Sequence, residues 1–380
     1  MKRQTRKRWQ RSVLLTLRLR RSAKGQVKSR RRSNARDNYV VQWLSQWSRR
    51  GVAIEPLRNG RVIVKLPAVM NFSAHYEITA ATLLVIRSLT DHRRIPRRRL
   101  RLARVDFRQL VQISTSAALV LTAELSKWDD VIRRNLRPEV GHWNERILSQ
   151  FRELGFFDLF SMSPEALRSR VESNISSLRL VKYVKGRCGE SEKARQLRAG
   201  IASLVGEEVG KWTFLRGGLD EAITNVTHHA YPEGHGFTEG DRVWYLTGSF
   251  NTDERQIKIV FYDQGIGIPA SLPASTVWES VLTFLKPLPL VDQRRDATMI
   301  KAAVEMHRTS TGESDRGKGL QDLLEFVRQR GDGYLSIFSA RGLYKYSMEG
   351  GKEAIKTEHF KNPIVGTLII WSAYLASGKT

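Results

Sequence analysis

Short apolar runs and helix-spaced apolar residues fall into two separate stretches of the chain. In the first stretch, Val62–Leu66 predicts a strand and Thr79–Ser88 predicts a helix. A further strand-like run and two further helices follow, at Leu102–Phe107, Thr115–Trp128 and Glu145–Phe160. Because strands and helices alternate here, this stretch is predicted to form a small α/β unit.

The second stretch contains more elements of the same two kinds. Within Arg255–Asp263, the residues Ile257, Ile259 and Phe261 occupy alternate positions, which predicts a strand. The pair Arg341-Gly342 separates two apolar runs and predicts a hairpin turn. Further helices are predicted at Glu192–Glu208, Lys211–Tyr231 and Leu320–Arg330, and further strands at Arg242–Phe250, Tyr334–Ala340, Tyr344–Met348 and Val365–Ser372. A second α/β unit is therefore expected.

Polar and basic segments separate the two stretches and precede the first. The 380 residues have room for two domains of ordinary size. Four parts are predicted: a basic arm at residues 1–37, an α/β domain at 38–163, a linker at 164–191 and a second α/β domain at 192–380. The arm is expected to be disordered or to bind nucleic acid.

Basic residues are concentrated at the N terminus. The chain has 64 Lys and Arg against 38 Asp and Glu, a net charge of +26, and 15 of the basic residues lie in Met1–Arg36, which has no acidic residue. A second basic cluster spans Arg93–Arg101. Such clusters attract polyanions, so RNA or DNA is an expected partner of both segments. The alternative is a solvated arm without a partner.

The chain has one cysteine, Cys188, which excludes an internal disulfide framework and a multi-cysteine metal site. No apolar stretch approaches the ~18 residues that a membrane span needs. The apolar patch Val13–Leu17 is too short and too closely flanked by Arg to be a signal peptide. The sequence therefore predicts no transmembrane segment and a cytoplasmic location.

A polar helix face in the second stretch carries the first set of candidate residues. Glu221, Asn225 and His229 are spaced i, i+4 and i+8 on the predicted helix and share one side of it. An Asn side chain supplies a neutral oxygen ligand suited to Mg²⁺, and a Glu can accept a proton. Taken alone, the same spacing also describes an ordinary solvated helix face.

A strand that ends in a glycine loop carries the second set. Asp263 ends the predicted strand, and Gly265 and Gly267 follow at alternate positions. A carboxylate at a strand end can accept a hydrogen bond from an exocyclic amine such as N6 of adenine. The glycines allow the backbone to approach a ligand closely. Taken alone, the segment could equally be a turn with a capping Asp.

A glycine-rich loop that opens a helix carries the third set. The free N–H groups at a helix start, together with the positive end of the helix dipole, can bind phosphate. The residues concerned are Arg316, Gly317, Lys318 and Gly319.

In this order, the three segments resemble the N, G1 and G2 boxes of the GHKL ATPases, which include gyrase, histidine kinases and anti-sigma-factor serine kinases. The matching patterns are E-x-x-x-N-x-x-x-H-A-Y from Glu221, D-x-G-x-G-I-P from Asp263 and R-G-x-G-L from Arg316. The pair Gly366-Thr367 fits the late Gly-Thr that is common in this family. The similarity covers about Glu192–Ser372 and is greatest to the anti-sigma serine kinases.

The resemblance implies a Bergerat-fold α/β sandwich, in which a mixed sheet carries helices on one face and ATP lies between them. It implies that Asn225 holds Mg²⁺, that Glu221 is the general base and that Asp263 recognises adenine. The cofactors expected on this basis are ATP and Mg²⁺.

The same resemblance assigns the glycines and the intervening segment. Gly265 and Gly267 would shape the adenine pocket, and the segment from Ala270 to Arg316 would form a lid with two helices of its own. The residues expected around the phosphates are Arg316, Gly317, Lys318 and Gly319.

The first stretch faintly resembles a STAS domain, the fold of anti-sigma antagonists. The segment Val105–Leu119 would be its strand, loop and helix, with Ser116 at the position of the phosphorylated serine. This chain has Ser114 where the family usually has Asp, and Ala117 where it has Gly. The alternative is an ordinary helix N-cap, with Ser114 or Thr115 accepting backbone hydrogen bonds.

Two functions from different classes follow. The first is an Mg-ATP-binding ATPase or serine/threonine-kinase-like switch, in which lid movement controls a protein partner. The second is a nucleic-acid-associated effector or adaptor, in a bacterial regulatory or defence complex, whose assembly ATP gates. A domain that binds ATP without turnover is a third alternative, and a homodimer is among the expected assemblies.

Overall fold

The computed structural model of the protein describes residues 27–90, 100–128, 138–162, 177–205, 213–275, 277–309 and 319–375. The protein belongs to the α/β class, as predicted, and it divides into two compact units. Most of the N-terminal half forms the first unit. The second unit comprises Arg168–Thr380 and two short earlier segments, Ala118–Ala123 and Ser149–Phe157.

The N-terminal half of the chain contains, in order, α1 (Val27–Arg49), β1 (Ala53–Pro56), β2 (Arg61–Lys65), β3 (Val69–Met70), α2 (Tyr76–Thr90), β4 (Arg101–Asp106), β5 (Gln112–Ile113), α3 (Thr115–Ser126) and α4 (Glu145–Leu154). Three of the strands form a sheet in the order β1-β2-β4. β1 and β2 are antiparallel, whereas β2 and β4 are parallel and the connection between them contains α2. The short strands β3 and β5 form a separate parallel pair.

A long helix replaces part of the predicted basic arm. α1 begins at Val27, so residues 27–36 are helical, and the expectation of a disordered arm is wrong for them. The helix is anchored further along by four buried residues at i, i+3, i+4 and i+7 spacing, which are Val40, Trp43, Leu44 and Trp47. Residues 1–26 and 91–99, which hold most of the two basic clusters, lie outside the described residues.

The start of α3 bears on the STAS-like interpretation. The hydroxyl of Ser114 caps the helix by accepting a hydrogen bond from the Ala117 N–H at 3.2 Å. Ser116 is only 6% exposed, and its hydroxyl lies 3.0 Å from that of Ser114. The N-cap alternative is therefore confirmed for Ser114. A phosphoacceptor hydroxyl has to be reachable by a kinase, and the burial of Ser116 argues against that role.

The described C-terminal half contains β6 (Leu178–Leu180), β7 (Val184–Arg187), α5 (Lys193–Val205), α6 (Thr213–Asn225), β8 (Val243–Asn251), β9 (Gln256–Asp263), α7 (Trp278–Leu285), α8 (Asp296–Thr309), α9 (Gly319–Arg330), β10 (Gly333–Glu349) and β11 (Lys352–Tyr374). Single-turn helices also occur at Ile268–Ser271 and Leu290–Gln293.

These strands form one sheet in the order β10-β11-β9-β8-β6, with β7 also paired to β8. Every pairing described in this sheet is antiparallel, so the expectation of a mixed sheet is wrong for the described strands. The physical reason is local connection: β8 and β9, like β10 and β11, are joined by short turns, and a short turn between neighbouring strands makes them antiparallel.

Four helices of the second unit contribute to a core on one face of this sheet. Their buried residues include Leu197 of α5, Leu219 of α6, Val304 of α8 and Leu323 of α9. The sheet residues that join them occupy alternate strand positions, as in Trp244, Leu246, Ile259, Phe261, Ile369 and Trp371. The opposite side of the sheet is also buried, at residues such as Tyr245, Val260 and Tyr262.

The predicted linker at 164–191 is wrong over its described part. Leu178–Leu180 and Val184–Arg187 are strands that pair with β8, so this segment belongs to the sheet of the second unit. Its sequence gave no strand pattern because the strands are short and some of their side chains are exposed, as at Arg179 and Lys185. Backbone hydrogen bonds, rather than apolar side chains, define them.

The predicted hairpin turn at Arg341-Gly342 is also wrong. β10 continues through this point with a bulge at Ser339–Gly342, and the turn lies at Gly350-Gly351 instead. Both glycines have positive φ angles, +54° and +79°, as a two-residue hairpin turn requires. Gly342 is needed for another reason, since a Cβ there would lie 2.5 Å from the backbone nitrogen of Ala297 in α8.

None of the helices in the described part of the chain combines the length and the apolar character that crossing a bilayer would need.

Candidate functional site

The first candidate pair lies in the last turn of α6. The Asn225 side-chain amide donates a hydrogen bond to Oε1 of Glu221 at 3.0 Å. Both residues are partly exposed, whereas Ala222 and Ile223 between them are buried in the core. The i, i+4 spacing predicted from the sequence therefore places the carboxylate and the amide in direct contact, at the point where the α-helix ends.

The helix continues beyond Asn225 as a π-helical turn, Val226–Ala230. A π turn adds a residue to each backbone ring, so the simple i+8 relation of His229 to Glu221 does not hold. His229 nevertheless lines the same cavity as Asn225. Single π turns inside α-helices occur frequently at functional sites. The sequence pattern did not predict this π turn.

The imidazole of His229 is held towards its neutral form. The side chain is exposed, but the surrounding protein removes part of its hydration and so lowers its pKa below the usual value, and the neighbouring His228 lowers the pKa further. The folded protein therefore binds fewer protons here than the unfolded chain, and the free energy of unfolding should fall as the pH drops through about 6.5.

We expect the variant His229→Gln to show a flatter dependence of stability on pH over this range, because that variant has no imidazole to titrate at this position. Urea denaturation at a series of pH values measures the effect. His235→Gln, in an exposed loop, serves as the matched control and should keep the wild-type dependence. Equal slopes for wild type and His229→Gln would contradict the assignment.

Asp263 is the last residue of β9 and is only 3% exposed. Its Oδ1 accepts a hydrogen bond from the Gly265 N–H at 2.8 Å. Tyr231 braces the next residue, since its hydroxyl accepts from the Gln264 N–H at 3.1 Å and donates to the Val243 carbonyl at 2.7 Å. Burial, together with the nearby Asp263, raises the pKa of Tyr231 far above its usual value, so the hydroxyl remains a donor.

Glycines allow the loop after Asp263 to pass between two other backbone segments. A Cβ at Gly265 would lie 2.3 Å from the carbonyl oxygen of Ala230. Gly267 has a φ of +83°, and a Cβ there would lie 2.7 Å from the Ser339 hydroxyl. The side of Gly265 on which another residue would carry its Cβ therefore faces the π turn, whereas Gly267 lines the cavity.

Gly366 of β11 lies directly against the backbone at the end of β9. Its φ is +74°, and a Cβ there would lie 2.1 Å from the carbonyl oxygen of Asp263. The next residue, Thr367, lines the cavity and is buried. The first residue of the Gly-Thr pair has to be glycine, because only a residue without a side chain lets β11 approach the end of β9 this closely.

Ser339, which the sequence analysis missed, does not line the cavity but holds residues around it in place. It is fully buried, and its hydroxyl lies within 3.3 Å of the Thr367 hydroxyl. The same hydroxyl accepts from the Ile268 N–H at 2.9 Å and donates to the Gly366 carbonyl at 3.0 Å. It thereby ties the glycine loop to β10 and β11. No local motif marks it, since its partners are distant in sequence.

Several of these residues line one cavity of about 120 Å³. Its polar residues include Asn225, His229, Asp263 and Thr367, and Gly267 also lines it. Much of the remaining wall is apolar, formed by residues such as Val226, Phe261, Leu272, Leu323, Ile337 and Ile369. A mainly apolar cavity with a few converging polar groups is typical of a small-molecule site.

The segment predicted as a lid forms part of this cavity. Leu272, Val277 and Ala303 line it. Residues of α7 and α8 also pack on a small apolar cluster of their own, which includes Val281, Leu285 and Ala302. The described part of this segment is therefore a packed helical element and not an open loop. Both of its predicted helices exist, as α7 and α8.

The third candidate set is described only at its end. Arg316, Gly317 and Lys318 lie outside the described residues. Gly319 is the first residue of α9, and Leu323, one turn later, lines the cavity. The start of a helix therefore lies beside the cavity, where its N–H groups can face an anion.

The side chains of the cavity suit a nucleobase in their chemistry. A cavity of roughly 150 Å³ can take up a benzene ring, so this cavity of about 120 Å³ has room for part of a planar base between its apolar walls. The buried Asp263 carboxylate supplies an acceptor for an exocyclic amine. Asn225 supplies one neutral oxygen, and Mg²⁺ is usually held by few protein ligands.

No protein-family model matches the chain, and no curated protein sequence matches it.

Proposed function

We propose that the second unit binds Mg-ATP as a GHKL-type, Bergerat-fold ATPase domain and acts as a nucleotide-dependent switch. The observation that carries the proposal is the single cavity in which Asn225, Asp263, Gly267 and Thr367 meet. These residues come from the N, G1 and late Gly-Thr patterns, which are far apart in the sequence. Three independent patterns would not be expected to converge on one cavity by chance.

The proposed roles of the residues follow from the resemblance to the GHKL ATPases, and their positions are compatible with these roles. Asp263, buried at the end of β9, accepts a hydrogen bond from the adenine amine. The apolar walls hold the purine ring. Asn225, at the end of α6, holds the magnesium ion, which would neutralise phosphate charge. The helix start at Gly319 directs backbone N–H groups to the phosphates.

Glu221 is the proposed general base. Its carboxylate is fixed by the hydrogen bond from Asn225 and is partly exposed, so a water molecule or a serine or threonine hydroxyl can reach it. Positioning of the attacking hydroxyl and acceptance of its proton are its two tasks. The proton moves to a carboxylate oxygen as the hydroxyl oxygen attacks the terminal phosphorus, the bond from that phosphorus to the bridging oxygen breaks, and ADP leaves.

The pair Glu221 and Asn225 should separate binding from turnover. Glu221→Gln keeps a group that can accept the Asn225 hydrogen bond but is a poor base, so it should retain ATP binding and lose turnover by roughly 100-fold or more. Asn225→Ala should lose Mg²⁺-dependent ATP binding and retain adenosine binding. Calorimetric titration and phosphate release measure the two effects.

The result that would contradict these roles is retained turnover in a clean Glu221→Gln preparation. The matched control is Glu233→Gln, in the exposed loop after the π turn, which should leave both binding and turnover unchanged.

Incubation of the whole chain with Mg²⁺ and γ-labelled ATP, with and without RNA or DNA, tests the function itself. Free labelled phosphate identifies an ATPase, and a labelled protein band identifies a kinase. Binding without either product identifies a nucleotide-gated module. The absence of ATP binding under all conditions would overturn the proposal.

A further inference from the structure

Among the strands that the structure describes, the outer part of the β10–β11 hairpin presents an unpaired edge. Residues Lys352–Glu358 of β11 pair with β10 on one side. On the other side, β9 pairs only with Leu368–Tyr374, and no other described strand pairs with the outer part of β11. Side chains from Lys352 to Thr357 are exposed. None of the residues from Lys352 to His359 lines the cavity.

The turn geometry decides which backbone groups face outward. In a two-residue turn such as Gly350-Gly351, the flanking pair Glu349 and Lys352 exchange hydrogen bonds with each other. Antiparallel pairing then alternates, so every second residue of β11 bonds inward to β10. The residues between them direct their N–H and C=O groups to the free edge, and these are Glu353, Ile355, Thr357 and His359.

The outer edge is complementary to itself in one register. When two copies of β11 pair antiparallel about a two-fold axis at Thr357, Lys356 of each copy lies opposite Glu358 of the other. The same register places Glu353, whose carboxylate also lies 3.3 Å from Arg328 of its own copy, opposite Lys361. An axis at Ile355 would give a single kind of ion pair, Lys352 with Glu358. An axis at His359 would give none.

Charge also permits the approach of two such edges. The segment Lys345–Lys361 has four lysines and three glutamates, a local charge of +1, although the chain as a whole carries +26. Within one copy, the Lys356 ammonium lies 2.9 Å from the Glu358 carboxylate. Two copies in the register about Thr357 would bring four alternating charges together.

Charged side chains on an exposed edge usually prevent unspecific pairing between strands. Here the alternation of charge along the edge favours one partner and one register, because all other registers lose ion pairs or oppose like charges. Opposite charges directly across an antiparallel pair stabilise it, and like charges destabilise it.

We propose that the outer edge of β11, from Glu353 to Lys361, is a homodimerisation surface that pairs antiparallel with the same edge of a second copy of this chain. The pairing extends the sheet of the second unit through the two-fold axis at Thr357. Because a strand edge buries little area, the dimer is weak and forms reversibly with concentration.

Charge reversal tests the register. Lys356→Glu places like charges opposite each other at two symmetric positions, and Glu358→Lys does the same with the opposite sign. Each variant should raise the dimer dissociation constant roughly tenfold or more. The double variant Lys356→Glu/Glu358→Lys restores opposite charges and should recover the wild-type constant. Sedimentation over a concentration series measures these constants in the full-length protein.

Lys352→Glu is the matched control. It reverses the same kind of charge on the same strand, but its partner in the proposed register is Asn362, so the dissociation constant should stay within about twofold of wild type. A wild-type protein that remains monomeric up to its solubility limit would overturn the proposal. So would a double variant that fails to recover, or a control that weakens the dimer as much as Lys356→Glu.

Hydrogen exchange supplies a second, direct measurement. The amides of Glu353, Ile355, Thr357 and His359 should exchange more slowly as the protein concentration rises, because dimer formation occupies the outward N–H groups. Concentration-independent exchange at these positions in a protein that dimerises would place the interface elsewhere and overturn the assignment.

Discussion

Asp263→Asn should weaken the binding of both ATP and adenosine by roughly 100-fold while leaving the fold intact. The substitution keeps the shape of the side chain, and the amide oxygen can still accept the hydrogen bond that the Gly265 N–H now makes at 2.8 Å. The amide nitrogen then faces the cavity, where it opposes the adenine amine as donor to donor. Because the side chain is only 3% exposed, water cannot relieve this mismatch.

Calorimetric titration with ATP, adenosine and inosine measures this effect. Inosine carries an oxygen in place of the amine, so Asp263→Asn should lose its preference for adenosine over inosine. The matched control is Asp253→Asn in the exposed turn between β8 and β9, which should bind like wild type. Unchanged adenosine affinity in Asp263→Asn would contradict the role of Asp263 in base recognition. The cavity would then have no assigned group that selects adenine.

Gly366→Ala should destabilise the protein by about 3 kcal/mol or more. The added Cβ would lie 2.1 Å from the Asp263 carbonyl oxygen and 2.7 Å from its carbonyl carbon, both of which are backbone atoms at the end of a central strand. A flexible side chain could move aside, but this backbone is fixed by the pairing of Asp263 with Trp244 in β8. The positive φ of +74° adds strain for any residue with a Cβ.

Gly189→Ala separates the two causes. Gly189 has a similar φ of +83°, but no heavy atom lies within 4 Å of the position that its Cβ would take. The control should therefore cost only the backbone strain, about 1 kcal/mol. Urea denaturation of both variants gives the difference. If both lost the same free energy of unfolding, the close approach of β11 to β9 would not be important for stability.

Both large predictions concern one contact region, in which Gly366 allows β11 to reach the end of β9 and Asp263 faces the cavity from that end. A protein with Gly366→Ala that still folded would have to move this strand end. We therefore expect any residual folded population to bind adenosine more weakly as well, although Gly366 itself does not line the cavity.

Periodicity predicted the elements that have a strong local pattern. The helix predicted at Thr79–Ser88 is α2, and the helix predicted at Leu320–Arg330 is α9. The strand predicted at Arg255–Asp263 is β9, within one residue at its start. In these segments, apolar residues recur with the period of the element, although both faces of β9 are buried, at Ile259 and Phe261 on one side and at Val260 and Tyr262 on the other.

Elements without such a pattern were missed or misplaced. β6 and β7 looked like linker because pairing with β8 defines them more than their side chains do. The turn expected at Arg341-Gly342 is a bulge within β10. A glycine is required at position 342 because α8 approaches the backbone closely there, and the chain does not reverse at this point. A glycine has the same appearance in a sequence whether it serves a turn or a close contact.

The sequence by itself determined the α/β class, most helices of the second unit, and the candidate pairs within one helix or one loop. Glu221 and Asn225 meet because helical geometry fixes residues four apart, and Asp263 lies at a strand end because the apolar alternation stops there. Such relations need only local backbone geometry.

Only the tertiary structure decided which of these groups share a cavity. Asn225, Asp263 and Thr367 converge because β9 and β11 are neighbours and the end of α6 lies beside the same cavity. It also decided the role of Ser339, the π turn after Asn225 and the free edge of β11. These features depend on contacts between residues far apart in the chain, and a single sequence carries no local signal for the distance between them.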